Sequence, residues 1–578
     1  MLPPDLLEPE PRLRLDARLF GETLTFAFAT GSTPEAFERV LKSYSPGPST
    51  FDPELFARDL FVKDLIARCL CFTTEKRERY PLLQRPLYAL LTQPSTHLPT
   101  LEFRHQVLGR LAASTEARRA LQQTWSELRY LFELFLAGDR GRHGGAVARR
   151  LDILRALEST ITKLSLSFAD AEGPLLRVHA FARAVQASEA WSHLQSLLDY
   201  ENHLATVDIR VRLGHDGEIR SFAIQRVEEN QNNPWYSSPW RRFFARLSLL
   251  LRGLSVRSSE LLGRLVESVF DELQEVWLLL YQLMLDCEVY VAAGRLQALA
   301  KSKGLEVSLP ELVVPYRGAA APPSLADKTG YDPPSSHFEG LFNPFLLLES
   351  SAPVPCDIEH GTRAITIVTG PNSGGKTRLL QAVGLSQLLA QAGLFVPARA
   401  ARLSIRSGMF VSLVQQAEAD QSEGRLGTEL LRIRRLFESL PRGGLAILDE
   451  LCSGTNPTEG EEIFQLLIEL LGELSPVAFI STHFLSLAAR LERERPVELT
   501  FLEVELGPTG KATYRFTPGV AKTSLARGVA ERLGVTRESL RALLDSRKAE
   551  LEAPPSLERD SSPGEAASSF AAKGEPLS

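Results

Sequence analysis

The nine residues Thr369–Thr377, TGPNSGGKT, constrain this chain more than any other stretch. They fit the phosphate-loop pattern G-x-x-x-x-G-K-[ST], with Gly370 first, Gly375 sixth, then Lys376 and Thr377. Such a loop works only between a strand and a helix. Here the β-branched run Ala364-Ile365-Thr366-Ile367-Val368 leads in, and a helix-like segment, Arg378 to Ala392, follows. Glycines let backbone N–H groups turn inward around phosphate oxygens, and the helix N-terminus adds its positive dipole end. The expected cradle is Gly370, Pro371, Asn372, Ser373, Gly374 and Gly375. Lys376 is placed to reach the β- and γ-phosphates, and the Thr377 hydroxyl to ligate Mg²⁺. ATP and Mg²⁺ are therefore the expected cofactors, on an α/β phosphate-loop domain with a mostly parallel sheet.

A second element narrows the chemistry. Gly444 to Glu450, GLAILDE, reads as a short buried strand that ends in adjacent carboxylates. Asp449 suits Mg²⁺, held through water, and Glu450 a general base that polarises the attacking water. The alternative is a surface Asp-Glu pair in a turn, which a polar lead-in would favour; this lead-in is apolar.

These motifs together resemble a family. TGPNSGGKT, then LFVPA (Leu394–Ala398), LAILDELCSGTNPTEG (Leu445–Gly460) and STHF (Ser481–Phe484) resemble the ATPase domain of the MutS family in identity, order and spacing. The match is to the branch whose loop after the acidic strand reads GT-x-P-x-EG, and it spans roughly 338 to 543. Asn343-Pro344-Phe345-Leu346 is similar to the family's HPLL segment. Pro355-Cys356-Asp357-Ile358 is similar to its PNDI segment, with Cys356 where Asn is usual. The resemblance implies that Asp357 and Ile358 lie near the adenine. It also implies that His483 is a switch histidine that senses the γ-phosphate or orients the attacking water. Without it, His483 reads first as a satisfied histidine at the end of the strand 476–480. The resemblance further implies an ABC-like sheet, dimerisation through the ATPase domains, and DNA as partner. One departure stands out. The family's G-x-S-x-F-x-x-E loop, which contacts nucleotide across the dimer, is shortened between Gly424 and Glu429 and lacks Ser-x-Phe; Ser422 or Thr428 is left to supply the hydroxyl.

Bulk properties set outer bounds. A chain of 578 residues can bury two or more cores, and a net charge of −6 excludes a uniformly basic nucleic-acid coat. The five cysteines are scattered without zinc-ligand spacing, which fits a reducing cytosol. The start, MLPPDLLEPEPRLRL, lacks the apolar core of a signal peptide. The stretch Val276 to Leu299 is interrupted by Asp286, Glu288 and Arg295, so no membrane span and a cytoplasmic location are expected.

Along the chain, residues 1–40 read as a loose lead-in, and 41–317 as a mainly helical core and lever domain. Helical spacing is clear in 121–136 and 147–164, and 261–300 suits one long lever helix. A β-hairpin interrupts near 207–224, with Asp216-Gly217 as its turn. Residues 318–336 read as a linker, 337–545 as the ATPase domain, and 546–578 as a disordered tail. Two basic features offer DNA contacts: Arg210, Arg212 and Arg220 on the hairpin, and Arg241, Arg242 and Arg246 on the helix-like segment after it. Each reads equally as a solvated face. With the lever region read as beginning near residue 50 and the chain closing on a low-complexity tail, neither the family's mismatch-reading F-x-E domain nor an Smr nuclease is expected. The expected activity is ATP hydrolysis coupled to clamping on DNA, in repair or recombination control. The alternatives are an ATP-binding DNA switch with little turnover, and a regulatory ATPase that acts on a protein partner.

Overall fold

The computed structural model describes residues 3–73, 79–80, 85–136, 145–201, 205–213, 219–229, 258–314, 336–360, 365–413, 425–452, 456–474, 476–494, 498–508, 511–522 and 534–552. The chain forms two units, Met1–Thr523 and Ser524–Ser578.

The first unit opens on a buried strap rather than the loose lead-in expected for 1–40. Asp5, Leu6, Leu7 and Arg14 are almost inaccessible to solvent. Helices α1 (Ala17–Thr30) and α2 (Pro34–Lys42) follow. The Asp16 carboxylate caps α1 by accepting the Leu19 N–H at 2.9 Å, and Pro34 opens α2, where its missing N–H costs nothing. The composition misled because the acidic residues of the strap are neutralised inside the fold. Arg14 pairs with Asp5 and Asp286, and Arg104 pairs with Glu8.

Helices α3 (Arg85–Thr92), α4 (Leu98–Ala113), α5 (Thr115–Leu136), α6 (Gly145–Ser167), α7 (Leu176–Gln186) and α8 (Glu189–Glu201) build the helical part. The expected single lever is two helices, α9 (Ser258–Glu272) and α10 (Gln274–Ser302). They break at Leu273, whose ψ of 8° leaves the helical range. Every side chain from Val276 to Tyr290 is buried, Gln282, Asp286 and Glu288 among them. Among the described residues, α10 alone is long and apolar enough to cross a membrane, and protein covers it. Aromatic rings line its flank: Phe132, Phe135 and Phe270 all meet Trp277. The hairpin is present as strands β1 (Ala205–Leu213) and β2 (Ile219–Glu229), longer than expected and bulged at two points.

The rest of the first unit carries two sheets. Strands β3 (Glu311–Val313), β4 (Ser336–Leu341), β5 (Cys356–His360) and β7 (Ala400–Ser404) form a mixed sheet in the order β3-β7-β4-β5. The central sheet runs β8 (Met409–Ser412), β9 (Leu445–Asp449), β10 (Val477–Ser481), β6 (Ile365–Thr369), β11 (Leu499–Leu506), β12 (Ala512–Pro518). It is parallel apart from the β11–β12 pair. Helix α11 (Lys376–Gln391) follows β6, and α12 (Arg425–Ser439), α13 (Pro457–Leu474) and α14 (Leu485–Glu494) complete the layers. Within this unit the helical part and the sheets share one core: a Cβ on Gly384 of α11 would meet both Ile447 of β9 and Leu60 at 2.8 Å. In the second unit, α15 (Arg537–Glu552) continues past residue 546, where the tail was expected to begin. Of the expected linker 318–336, Ser336 opens β4 and the rest lies outside the described residues, as do the segment 230–257 and residues 553–578.

Glu288 on α10 yields a pH test. It is enclosed, its carboxylate receives the Trp125 indole N–H at 3.3 Å, and burial pushes its pKa up to about 7. The neighbouring Arg129 charge and the indole bond oppose that shift. A raised acid pKa means that the unfolded chain releases the proton first. Stability therefore falls as pH rises from the ordinary carboxylate range to about 7, then levels off. Glu288→Gln should gain relative to wild type by at most about 1.4 kcal/mol per pH unit across that window. Thermal unfolding of both proteins at pH 5, 6, 7 and 8 checks this; a gap that does not change with pH would refute it.

Candidate nucleotide-binding site

Strand β6 delivers the loop at its C-terminal edge, where parallel sheets place ligands. Thr369 anchors the strand end: its hydroxyl donates to Leu502 O (3.3 Å) and accepts the Ala521 N–H (2.9 Å). The loop then turns with Gly370 at φ 140° and Gly375 at φ 90°, and the Gly374 N–H closes it on Pro371 O at 2.9 Å. A Cβ on Gly370 would lie 2.6 Å from Val504 of β11, and one on Gly374 2.9 Å from it. Strand packing, and not only phosphate access, therefore demands glycine there.

Lys376 is buried, and its ammonium donates to Gly370 O (3.0 Å), Pro371 O (3.2 Å) and Asn372 Oδ1 (3.5 Å). It also pairs with Glu450 Oε1 at 3.1 Å. The Thr377 hydroxyl donates to Asp449 Oδ2 at 2.5 Å. The β9–β10 register sets Asp449 beside Ser481, and the Ser481 hydroxyl donates to Asp449 Oδ1. The Glu450 N–H in turn reaches both Ser481 Oγ (3.0 Å) and Ser481 O (3.2 Å). Burial raises the Asp449 pKa, and the hydrogen bonds from Ser481 and Thr377 oppose it. Glu450 and Cys452 both hold left-handed backbone (φ 47° and 65°), a conformation that costs non-glycine residues about 1 kcal/mol or more. Lys376, Thr377, Asp449 and Glu450 thus converge.

Mg²⁺ fits this donor set. Thr377 and Asp449 offer hard oxygens side by side, and Mg²⁺ habitually takes one or two protein ligands and completes its shell with phosphates and water. The two are in direct contact. Among the described residues no group of three or more His, Cys, Asp or Glu forms a metal site of its own.

The remaining candidates are placed less simply. His483 follows β10 and is exposed; its ring rests on Phe484 at 4.2 Å and has no hydrogen-bond partner among the described residues. Asp357 and Ile358 sit on β5 of the other sheet. Asp357 accepts the Gly340 N–H at 2.7 Å, and Ile358 is 1% exposed, so its side chain belongs to the core. Tyr514 on β12 adjoins the cradle. Its ring comes within 3.4 Å of a Cβ built on Gly375, it is 53% exposed at φ 62°, and its carbonyl accepts from Cys356 Sγ at 3.2 Å. Nothing local in the sequence marks Tyr514 or Val504, and Ser481, notable only as part of STHF, reaches Asp449 through strand pairing. The segment expected as an altered loop from Gly424 to Glu429 is helical from Arg425, with Glu429 buried, because the apolar spacing of 430–436 extends toward its N-terminus; Ser422 and Gly424 lie outside the described residues. Arg210, Arg212 and Arg220 fall on β1 and β2, where only the backbone is described, and Arg241, Arg242 and Arg246 lie outside the described residues.

Comparison with known proteins agrees with this geometry. Residues 366–546 match the family model for MutS domain V. Similar curated proteins include three named Endonuclease MutS2. The one from Thermomicrobium roseum is 32% identical over 256 residues, 42% of this chain and 31% of that protein. Those from Fusobacterium nucleatum (30% over 194 residues) and Thermus thermophilus (32% over 177 residues) align over 33% and 31% of this chain, and over 25% and 24% of their own lengths. The matched region thus spans a quarter to a third of each relative. Residues 366–546, which carry the phosphate loop and the acidic strand end, are thus similar to MutS domain V.

Proposed function

We propose that this protein binds and hydrolyses Mg·ATP at the cradle 370–377 and couples occupancy to clamping on DNA, as a cytoplasmic homodimer joined through its ATPase domains. The observation that carries the chemistry is the meeting of Lys376, Thr377, Asp449 and Glu450 in one place. Mg²⁺, when bound, neutralises charge on the β- and γ-phosphate oxygens. The loop N–H groups bind those oxygens. Lys376 exchanges the carbonyls of Gly370 and Pro371, and the carboxylate of Glu450, for phosphate oxygens. That exchange frees Glu450 to take the proton of the attacking water, while Ser481 holds Asp449 in orientation. His483, exposed on the same strand edge, orients the γ-phosphate or the water. Tyr514 offers a half-exposed ring beside the cradle for the base, and the segment of Asp357 and Ile358 on β5, joined to Tyr514 through Cys356, lies on the adenine side.

DNA contact falls to the arginines 210, 212 and 220 on the hairpin and 241, 242 and 246 beyond it, which would track phosphates. The MutS2 names of the relatives support nucleic acid as partner. A switch with little turnover is the second reading. The Lys376–Glu450 pair favours it, because hydrolysis requires that pair to open.

Three measurements test the proposal. Lys376→Ala should abolish binding of a fluorescent ATP analogue in a folded protein; unchanged affinity would remove the central claim. Glu450→Gln should still bind ATP while turnover falls by about 10²-fold or more. A variant that hydrolyses at the wild-type rate would exclude Glu450 as the base. Affinities for a G·T-containing duplex and its matched control should agree within about twofold, because phosphate contacts carry no sequence information. A reproducible tenfold mismatch preference would point to direct base-pair sensing.

A further inference from the structure

Arg104 of α4 is 1% exposed and holds three segments together. Its Nε donates to Leu7 O at 2.9 Å, one terminal nitrogen pairs with Glu8 Oε1 at 2.9 Å, and the other donates to Ala392 O at 3.0 Å. Ala392 is the C-cap of α11, so a guanidinium sits at the negative end of the helix whose other end forms the phosphate cradle. Contact is close: Gly393, at φ 76°, has no room for a Cβ, which would lie 2.7 Å from Arg104 carbons. From Glu8 the strap leads to α10. Its Leu6 N–H donates to Asp286 Oδ2 at 3.1 Å, and Arg14 bridges Asp5 (2.7 Å) and Asp286 (2.6 Å). Gln282 of α10 accepts the Arg14 N–H at 2.9 Å and donates to Arg12 O at 2.9 Å.

We propose that Arg104 is a positioning residue that ties the C-terminal end of α11 to the strap, and through the strap to α10, so that nucleotide engagement at the cradle is felt in α10. The proposal rests on the nucleotide reading above. The physical reason is intolerance of slack. Helix α11 has 16 residues, roughly 24 Å at 1.5 Å per residue, and moves as a rod. An axial shift of about 1 Å would take the Ala392–Arg104 bond out of hydrogen-bonding range. Buried guanidinium donors left unpaired are costly, so Arg104, Glu8 and the strap follow the helix instead.

Hydrogen exchange on the full chain, with and without Mg²⁺ and a non-hydrolysable ATP analogue, tests the link in peptides covering 3–16 and 274–302. In wild type the analogue should slow exchange in both by about fivefold, the low end of ordinary coupling between sites. In Arg104→Gln the analogue should still bind with Kd within about threefold of wild type, a change below ordinary coupling, while both responses disappear. Glu8→Gln, which keeps the shape of the contact, should weaken the response and serves if Arg104→Gln does not fold. An undiminished response in either folded variant overturns the proposal. Wild type that binds the analogue without any response overturns it too, yet leaves the nucleotide reading intact. Wild type that does not bind the analogue removes that reading, and this proposal with it.

Discussion

The burial of α11 on every side is the constraint on which the rest depends. All residues from Leu379 to Gln391 are enclosed, glutamines and a serine among them. Buried amides must find partners, and these partners define the architecture. Gln381 accepts from Asn343 at 2.9 Å, in the segment before β5. Gln387 donates to Gln391 (2.7 Å) and to Ser404 O of β7 (3.1 Å). Gln391 donates to Ser95 O (3.2 Å) and Arg406 O (3.0 Å), and accepts the Arg406 N–H (2.9 Å). One helix thus fastens the helical part, the mixed sheet and the central sheet at once. Gly384 shows how tightly they close, since even a methyl group there would collide with both Leu60 and Ile447.

That enclosure bears on chemistry. The N-terminal end of α11 presents Lys376 and Thr377 to the edge of β9, where Asp449 and Glu450 wait within hydrogen-bonding reach. A site whose groups already pair with each other is electrically balanced, and substrate must compete with those pairs. Phosphate oxygens compete well for an ammonium, because hydrogen bonds between charged groups are roughly twice as strong as neutral ones. The left-handed backbone at Glu450 and Cys452 sits directly beside this exchange, where backbone strain concentrates in functional sites.

The helical part is organised by buried charge more than by apolar spacing alone. Breaking a buried ion pair by removing one partner costs about 3–5 kcal/mol, because the other charge is stranded. Arg14 between Asp5 and Asp286 is such a case, and it pins a segment with almost no regular secondary structure against α10. This is why residues 3–16 fold against the core despite a composition that reads as solvated.

By itself, the sequence determined the phosphate loop, the acidic strand end and the order of strands and helices around them. Those signals are local: glycine at left-handed turns, β-branched runs in buried strands, and carboxylates where a strand stops. Glu450 stood out for the same reason, whereas His483 was singled out only through the resemblance. Tertiary structure alone decided what reaches the loop from afar. Ser481 meets Asp449 through strand register, Val504 explains two of the glycines, and Tyr514 adjoins Gly375 from the far hairpin. It also placed Asp357 against the Gly340 N–H and buried Ile358 in the core. The strap and the break at Leu273 were illegible because neither has a local signature. Asp5 and Glu8 look like surface acids until Arg104 and the Arg14–Asp286 pair enclose them, and only packing brings Arg104 and Asp286 to the strap from so far along the chain.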